Sequence, residues 1–226
     1  MKTTNAMQLK AKIKARAKEA GVSPQLMMQD YLLERLLERI SLSKWRDCVV
    51  VKGGMLIASL VGVDSRVTKD LDTTVRGFDL THESARRAFL DICEIDADDD
   101  IAFEFVRTED IREVDDYPGI RVFLKANYAP MSVPLSVDVT TGDAITPGAV
   151  EYDYPLAFDD YSISIMAYPT ATCMAEKLET VVARGVANTR PRDYYDICML
   201  WRTRRAELPA QALAAALAAT ASKRGS

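Results

Sequence analysis

The chain has 226 residues, of which 48% are hydrophobic and 27% charged, enough to bury a sizeable core and inconsistent with global disorder or a collagen-like repeat. Its length fits one large domain or a core with a small companion. A net charge of −4 argues against nonspecific coating of nucleic acid, while leaving room for a local basic face.

The first twenty residues are the most basic segment, with Lys2, Lys10, Lys12, Lys14, Arg16 and Lys18 against Glu19 alone. Residues 7–19 are helix formers, and Gly21 is the stop. Ser23 and Pro24 then open a second helix as N-cap and first-turn proline. Within residues 26–42, Met28, Leu32, Leu36 and Ile40, flanked by Leu33 and Leu37, recur every three or four positions and predict a core-facing stripe. Residues 48–51 are a β-branched run that meets Gly53-Gly54 and then a helical pattern over residues 55–61, which reads as strand, tight turn, helix. Residues 70–75 form a second strand, and Thr81 caps a helix running to about Ile92. Residues 101–106, 120–126 and 135–140 supply the other strands of a mixed sheet, and residues 161–166 add one more. After Pro169 come three helical patterns, over residues 170–185, 192–205 and 209–222. The class is α+β, with N-terminal helices and a mixed-sheet core over residues 1–168. A C-terminal helical region over residues 169–226 follows a soft boundary, since no linker or repeat intervenes.

No run of 18 apolar residues occurs and the charged start lacks an apolar signal core, so a cytoplasmic location without membrane contact is expected. Cys48, Cys93, Cys173 and Cys198 are scattered through hydrophobic stretches with no CxxC or Cys/His cluster, which predicts reduced core thiols and no zinc site.

Chemistry concentrates at a few places. Lys52-Gly53-Gly54 ends a strand just before a helix, where free N–H groups and the helix dipole can receive a phosphate. A plain turn is the alternative, because neither the P-loop spacing nor GxGxxG is present. Asp70 and Asp72 flank Leu71 on a strand, and the period of two puts both carboxylates on one face. At a separation of about 4 Å and an effective dielectric near 20 their repulsion is on the order of 4 kcal/mol, which a divalent cation such as magnesium would relieve. A solvated strand face is the alternative. Asp138, among apolar residues of a later strand, needs a partner; beside Asp70 and Asp72 it would be a third metal ligand or a general base, and otherwise an acid at a strand edge. Lys177 and Asp193 lie in the C-terminal helices, the first able to neutralise a triphosphate and the second able to orient that lysine or the nucleotide. Both also suit solvated helix faces.

Two weaker patterns carry less. Asp96, Asp98 and Asp100 imitate the start of a calcium loop, but Ile101 replaces the needed glycine and Arg107 the bidentate Glu. His82, the only histidine, follows a helix cap and reads as a surface residue.

Val51-Lys52-Gly53-Gly54, the segment from Arg66 to Asp72, Glu176-Lys177-Leu178 with Arg184, and Arg192-Asp193-Tyr194-Tyr195-Asp196 together resemble the ordered motifs of AbiEii-type nucleotidyltransferase toxins. These are members of the DNA polymerase β-like nucleotidyltransferase superfamily. The resemblance spans most of the chain, including the helix over residues 31–39, and is weakest over residues 79–130. It implies a nucleotidyltransferase fold, with Lys52, Gly53, Gly54, Arg66 and Lys177 against the NTP and Asp70, Asp72 and, less securely, Asp138 on Mg2+. Asp193 would be a further active-site residue. Met55 departs from the pattern, since many relatives carry Ser or Thr there. The resemblance further implies NMP transfer to an acceptor hydroxyl, the tRNA 3′ end, with arrested translation as the outcome and a cognate antitoxin as partner. A protein or small-molecule acceptor, or a catalytically silent module that binds RNA or antitoxin, is the alternative.

Overall fold

The computed structural model describes residues 3, 5–62, 68–111 and 119–226. The chain begins with α1 (Ala6–Ala20) and α2 (Pro24–Leu42), then β1 (Val49–Lys52), α3 (Gly53–Val61), β2 (Leu71–Val75) and α4 (His82–Cys93). Five strands follow, β3 (Ala102–Ile111), β4 (Gly119–Tyr128), β5 (Met131–Thr141), β6 (Val150–Pro155) and β7 (Ser162–Ala167), before α5 (Thr170–Arg184), α6 (Pro191–Thr203) and α7 (Ala210–Arg224).

The strands form one seven-stranded mixed sheet in the order β3-β4-β5-β2-β1-β7-β6. Its centre pairs β1 antiparallel to β2 and parallel to β7, and β2 parallel to β5. The α+β class and the strand-turn-helix at residues 49–61 agree with the sequence. Ser23 accepts from the Leu26 N–H with Pro24 in the first turn of α2, and Thr81 and Ser84 form a reciprocal capping box on α4. β6 is absent from the sequence reading. Its Val-Glu-Tyr-Asp-Tyr-Pro order buries only Tyr154 fully and lies at a sheet edge, where one face and one side stay polar.

The helix α2 differs most from its predicted form. The apolar stripe is buried, but so are Glu34, Arg35, Glu38 and Arg39, so the helix is enclosed on all sides from Tyr31 to Ile40. Each charge has a partner, and apart from the Arg35–Glu38 pair within the helix these come from distant segments that the linear pattern could not indicate. Arg39 forks onto Asp99 at 2.9 and 2.6 Å and also donates to the Ile101 carbonyl. Asp99 therefore leaves the acidic loop around Asp98 and Asp100 to become a structural counter-ion. Arg35 meets Glu38 at 2.8 Å and Asp159 at 3.3 Å, and the Tyr161 hydroxyl donates to Glu38. Glu34 accepts the Ala157 backbone N–H.

The cysteine expectation needs correction. All four thiols are free, but only Cys173 is buried; Cys48 and Cys93 are half-buried and Cys198 is exposed on α6. One side of α6 faces solvent, so hydrophobic neighbours in sequence did not place Cys198 in the core. Among the described residues no helix is long and apolar enough to cross a membrane.

Burial pushes Glu34 up to about 8 against the pull of the Ala157 N–H, with the nearby Asp30 charge adding to the rise. Burial likewise lifts Asp30 to about 6. Carboxyls raised in the folded state stabilise it fully below their unfolded values, and that contribution is lost as pH rises through the folded values. The protein is therefore expected to lose stability between pH 5 and 9 in urea unfolding, and Glu34→Gln, which keeps an oxygen for Ala157, to flatten that loss. Parallel pH profiles for the two proteins would contradict the burial argument.

Candidate active site

The buried residues Val49, Val50 and Val51 anchor β1 in the core, and the chain passes straight from Lys52 into α3. Gly53 adopts φ +69°, and a Cβ there would lie 2.0 Å from the Asp72 Oδ2. Glycine is thus required twice, by conformation and by space. The N-cap residue Lys52 makes no side-chain cap on α3; in its first turn the Gly54 N–H donates to Asp72 Oδ2 at 3.4 Å.

Register then lines up four charged residues across four adjacent strands. Lys52 lies opposite Asp72, Asp72 opposite Asp138, and Asp138 opposite Arg121. Directly opposed residues share a sheet face. Arg121 forks onto Asp138 through Nε at 2.6 Å and Nη2 at 2.7 Å. That bidentate bond, stronger than the cost of partial burial, holds the guanidinium pKa above its ordinary value. Asp70 precedes Asp72 by one strand period and accepts from the Ser136 hydroxyl at 2.9 Å. Burial, then repulsion from Asp138, raises the Asp72 carboxyl above the usual carboxylate range, with Lys52 and the Gly54 N–H pulling the other way.

Lys52 does not reach into open solvent. Its ammonium donates to Thr140 Oγ1 at 2.8 Å and Asp143 Oδ2 at 2.5 Å, and the Tyr168 hydroxyl donates to the same Asp143 oxygen at 2.6 Å. Burial alone would depress the lysine, but Glu176 and Asp143 outweigh it and hold its pKa above the ordinary value. The same contacts keep Asp143 low despite its burial. The end of β1 is thereby tied to the segment after β5 and to the residue after β7.

The helical half of the site is built on α5 and α6. Lys177 Nζ donates to Asp193 Oδ1 at 2.6 Å and lies 3.3 Å from Asp196 Oδ2. The second Asp193 oxygen, Oδ2, is buried with no hydrogen-bond partner among the described residues. Glu176, beside Lys177, connects the two halves. Burial raises its pKa, while the positive charges of Lys52 and Arg224 draw it down. Arg224, near the end of α7, pairs with Glu176 and Glu179.

The expected residues are therefore distributed as follows. Gly53, Gly54, Asp70, Asp72 and Asp138 gather at the centre of the sheet, and Lys177 contacts Asp193 directly. Arg66 lies outside the described residues. Met55, which follows the glycines in the first turn of α3, is buried in the core. The sequence reading assigned no site role to Arg121, Asp143, Tyr168, Glu176 or Asp196. Arg121 could be found only through the β4–β5 register, and Asp143 only through the return of the chain to β1. Asp196 carried a signal in hindsight, since it stands three residues after Asp193 on the same helical face.

Among the described residues, no three or more His, Cys, Asp or Glu side chains close into a metal-holding group. The chemistry of the donors nevertheless fits a hard divalent cation. Asp72 on β2 and Asp70 just before it would offer oxygen ligands, and Asp72 is a carboxylate short of positive charge. Asp138 would have to share its oxygens with Arg121.

Comparison with curated protein sequences finds no match. Two solved structures are similar in fold at 14% identity. JHP933 from Helicobacter pylori has a TM-score of 0.55, with 86% of this chain and 73% of that chain covered. The antibiotic-resistance factor ANT(2'')-Ia has a TM-score of 0.51, with 88% and 94% covered. Likeness at this level identifies a shared nucleotidyltransferase fold and nothing finer. The family described as nucleotidyl transferase AbiEii toxin, type IV toxin–antitoxin system, matches residues 35–226. Since that match runs from within α2 through α7 and takes in both halves of the site, the chain belongs to the AbiEii toxin family and is a nucleotidyltransferase.

Proposed function

We propose that the chain transfers a nucleoside monophosphate from an NTP to the 3′ end of tRNA, arresting translation, and that a cognate antitoxin restrains it in the cytoplasm. The observation that best supports transfer chemistry is the row Lys52, Asp72, Asp138, Arg121, which sets two adjacent carboxylates beside the glycine turn that begins a helix. Asp70 and Asp72, with Asp138 as a further ligand, would hold Mg2+. When bound, the ion supplies positive charge against the triphosphate and the reacting phosphoryl oxygens.

The chain's own residues do the rest by position and charge. Gly53 and Gly54 receive phosphate oxygens on backbone N–H groups, since neither carries a side chain in the way. Lys52, fixed by Asp143 and Thr140, contributes its field and holds the turn in place rather than touching the phosphates. Lys177 balances triphosphate charge from the helical side. The acceptor oxygen forms a bond to the α-phosphorus as the bond to the bridging oxygen breaks, and pyrophosphate leaves with that electron pair. The hydroxyl proton passes to a carboxylate of the sheet, Asp138 being the one that stands beside Asp72. Asp193 Oδ2 is buried out of an acceptor's reach, and Asp193 serves to orient Lys177 through Oδ1.

Incubation with each α-labelled NTP, magnesium, total RNA and total protein is expected to place label on tRNA-sized RNA. Label on protein would replace the acceptor, and no label with any NTP would overturn transfer. Asp72→Asn is expected to lower transfer at least about 10²-fold with no loss of melting temperature, because a buried charge is removed. Equal transfer would exclude Asp72 from cation binding. Lys177→Ala is expected to raise the NTP concentration needed for half-maximal rate about tenfold or more, through loss of a charge-assisted contact. An unchanged saturation curve would exclude that role.

A further inference from the structure

The outer face of α6 is unlike the rest of this acidic chain. The helix turns Asp193, Asp196 and Leu200 inward, and the opposite stripe of Tyr194, Cys198 and Trp201 therefore faces solvent at helical spacing. Tyr194, Tyr195 and Trp201 are 47%, 45% and 44% exposed. The outward charges of α6 itself are all of one sign. Arg184, Arg190, Arg192, Arg202 and Arg205 are exposed, the two acids of α6 are buried against Lys177, and the exposed Glu207 that follows is paired with Arg204. The Arg205 guanidinium stacks 4.9 Å from the Trp201 ring centre, setting a phosphate-binding cation beside an aromatic plane.

We propose that this face docks single-stranded nucleic acid and leads its end to the Lys177–Asp193 pair, an inference that rests on the RNA-acceptor reading above. Exposed rings interleaved with cations match the two components of such a strand, since every base offers a face to stack and every linkage a negative charge. A duplex hides its base faces and gains nothing from the rings. A protein partner of mixed charge would find no outward carboxylate on α6 to pair with its own cations, and the neighbouring Glu207 is already held by Arg204. Tyr194 and Tyr195 follow Asp193 directly, and the stripe from Trp201 to Tyr194 is about 10 Å long at the rise of an α-helix. The other basic surface, the lysines of α1, lacks exposed aromatic residues and offers phosphate contact only.

The test uses the full chain without NTP and a 12-nucleotide single-stranded RNA of mixed sequence. Of the two tryptophans, Trp45 is buried, so stacking on this face quenches the Trp201 emission. RNA binding is expected to quench the wild type and Asp72→Asn alike, and Trp201→Phe is expected to lose the signal while binding within about twofold. The double variant Tyr194→Ser/Trp201→Ser is expected to weaken binding at least about tenfold. Arg192→Gln/Arg202→Gln/Arg205→Gln should reduce the slope of log Kd against log salt by about 2, from roughly 0.7 per phosphate. All these side chains are exposed, so melting temperatures should stay near wild type. Variants that bind RNA as the wild type does, or a duplex that competes as well as the single strand, overturn the docking face. Loss of RNA affinity in the variants with label found only on protein overturns the acceptor reading instead and leaves the face standing.

Discussion

Two carboxylates side by side in the middle of a sheet are a constraint that the rest of this molecule has to satisfy. Asp72 and Asp138 occupy facing positions on parallel strands, where burial and repulsion from its neighbour disfavour the charged form of Asp72. The flanking strands supply compensation from either side. Arg121 neutralises Asp138 through a fork, while Lys52 lends Asp72 only its field because Asp143 and Thr140 hold its ammonium. The imbalance leaves Asp72 as the acid with charge to spare, and it is the one that leans on the glycine turn. A structural pair would have been neutralised evenly. An uneven pair next to a glycine turn that begins a helix is what a site for a cation and an anion together requires.

The surrounding architecture keeps that arrangement rigid. α2 carries four charged residues through the interior, and their partners come from the loop around Asp99 and from the segment that holds Asp159 and Tyr161. Such buried pairs are weak evidence of stability, because desolvation offsets much of the attraction. Their geometry is specific, however, and they fix where the loops on either side of the helix stop. At the opposite side, Glu176 and Glu179 receive Arg224 and tie the terminal helix to the one that bears Lys177.

Much of this was legible in the sequence because it is local. The caps at Ser23 and Thr81, the β-branched run before Gly53-Gly54 and the three helical patterns after Pro169 depend on neighbours within a few residues. What was not legible depends on register or enclosure. Arg121 meets Asp138 only once β4 and β5 are aligned, and Asp143 meets Lys52 only when a loop returns across the sheet. The burial of the charged residues of α2 could not be read, because a helical repeat reports polarity and not what other segments bring to it. Cys198 failed for the converse reason, since apolar neighbours in sequence point in different directions around a helix. The candidate residues were nameable from their spacing, but their division into a sheet half and a helical half, linked through Glu176, was not.

The contact between Gly53 and Asp72 has a consequence for how this scaffold can diversify. The acid rests against the bare α-carbon with no room for even one methyl group, so the peptide that faces a phosphate and the side chain that faces a cation move as a single mechanical part. Adjustments to one cannot be made without displacing the other. Variation in what such a protein modifies is therefore channelled outward, to surfaces like that of α6, whose side chains can be exchanged while the hinge between backbone and carboxylate stays as it is.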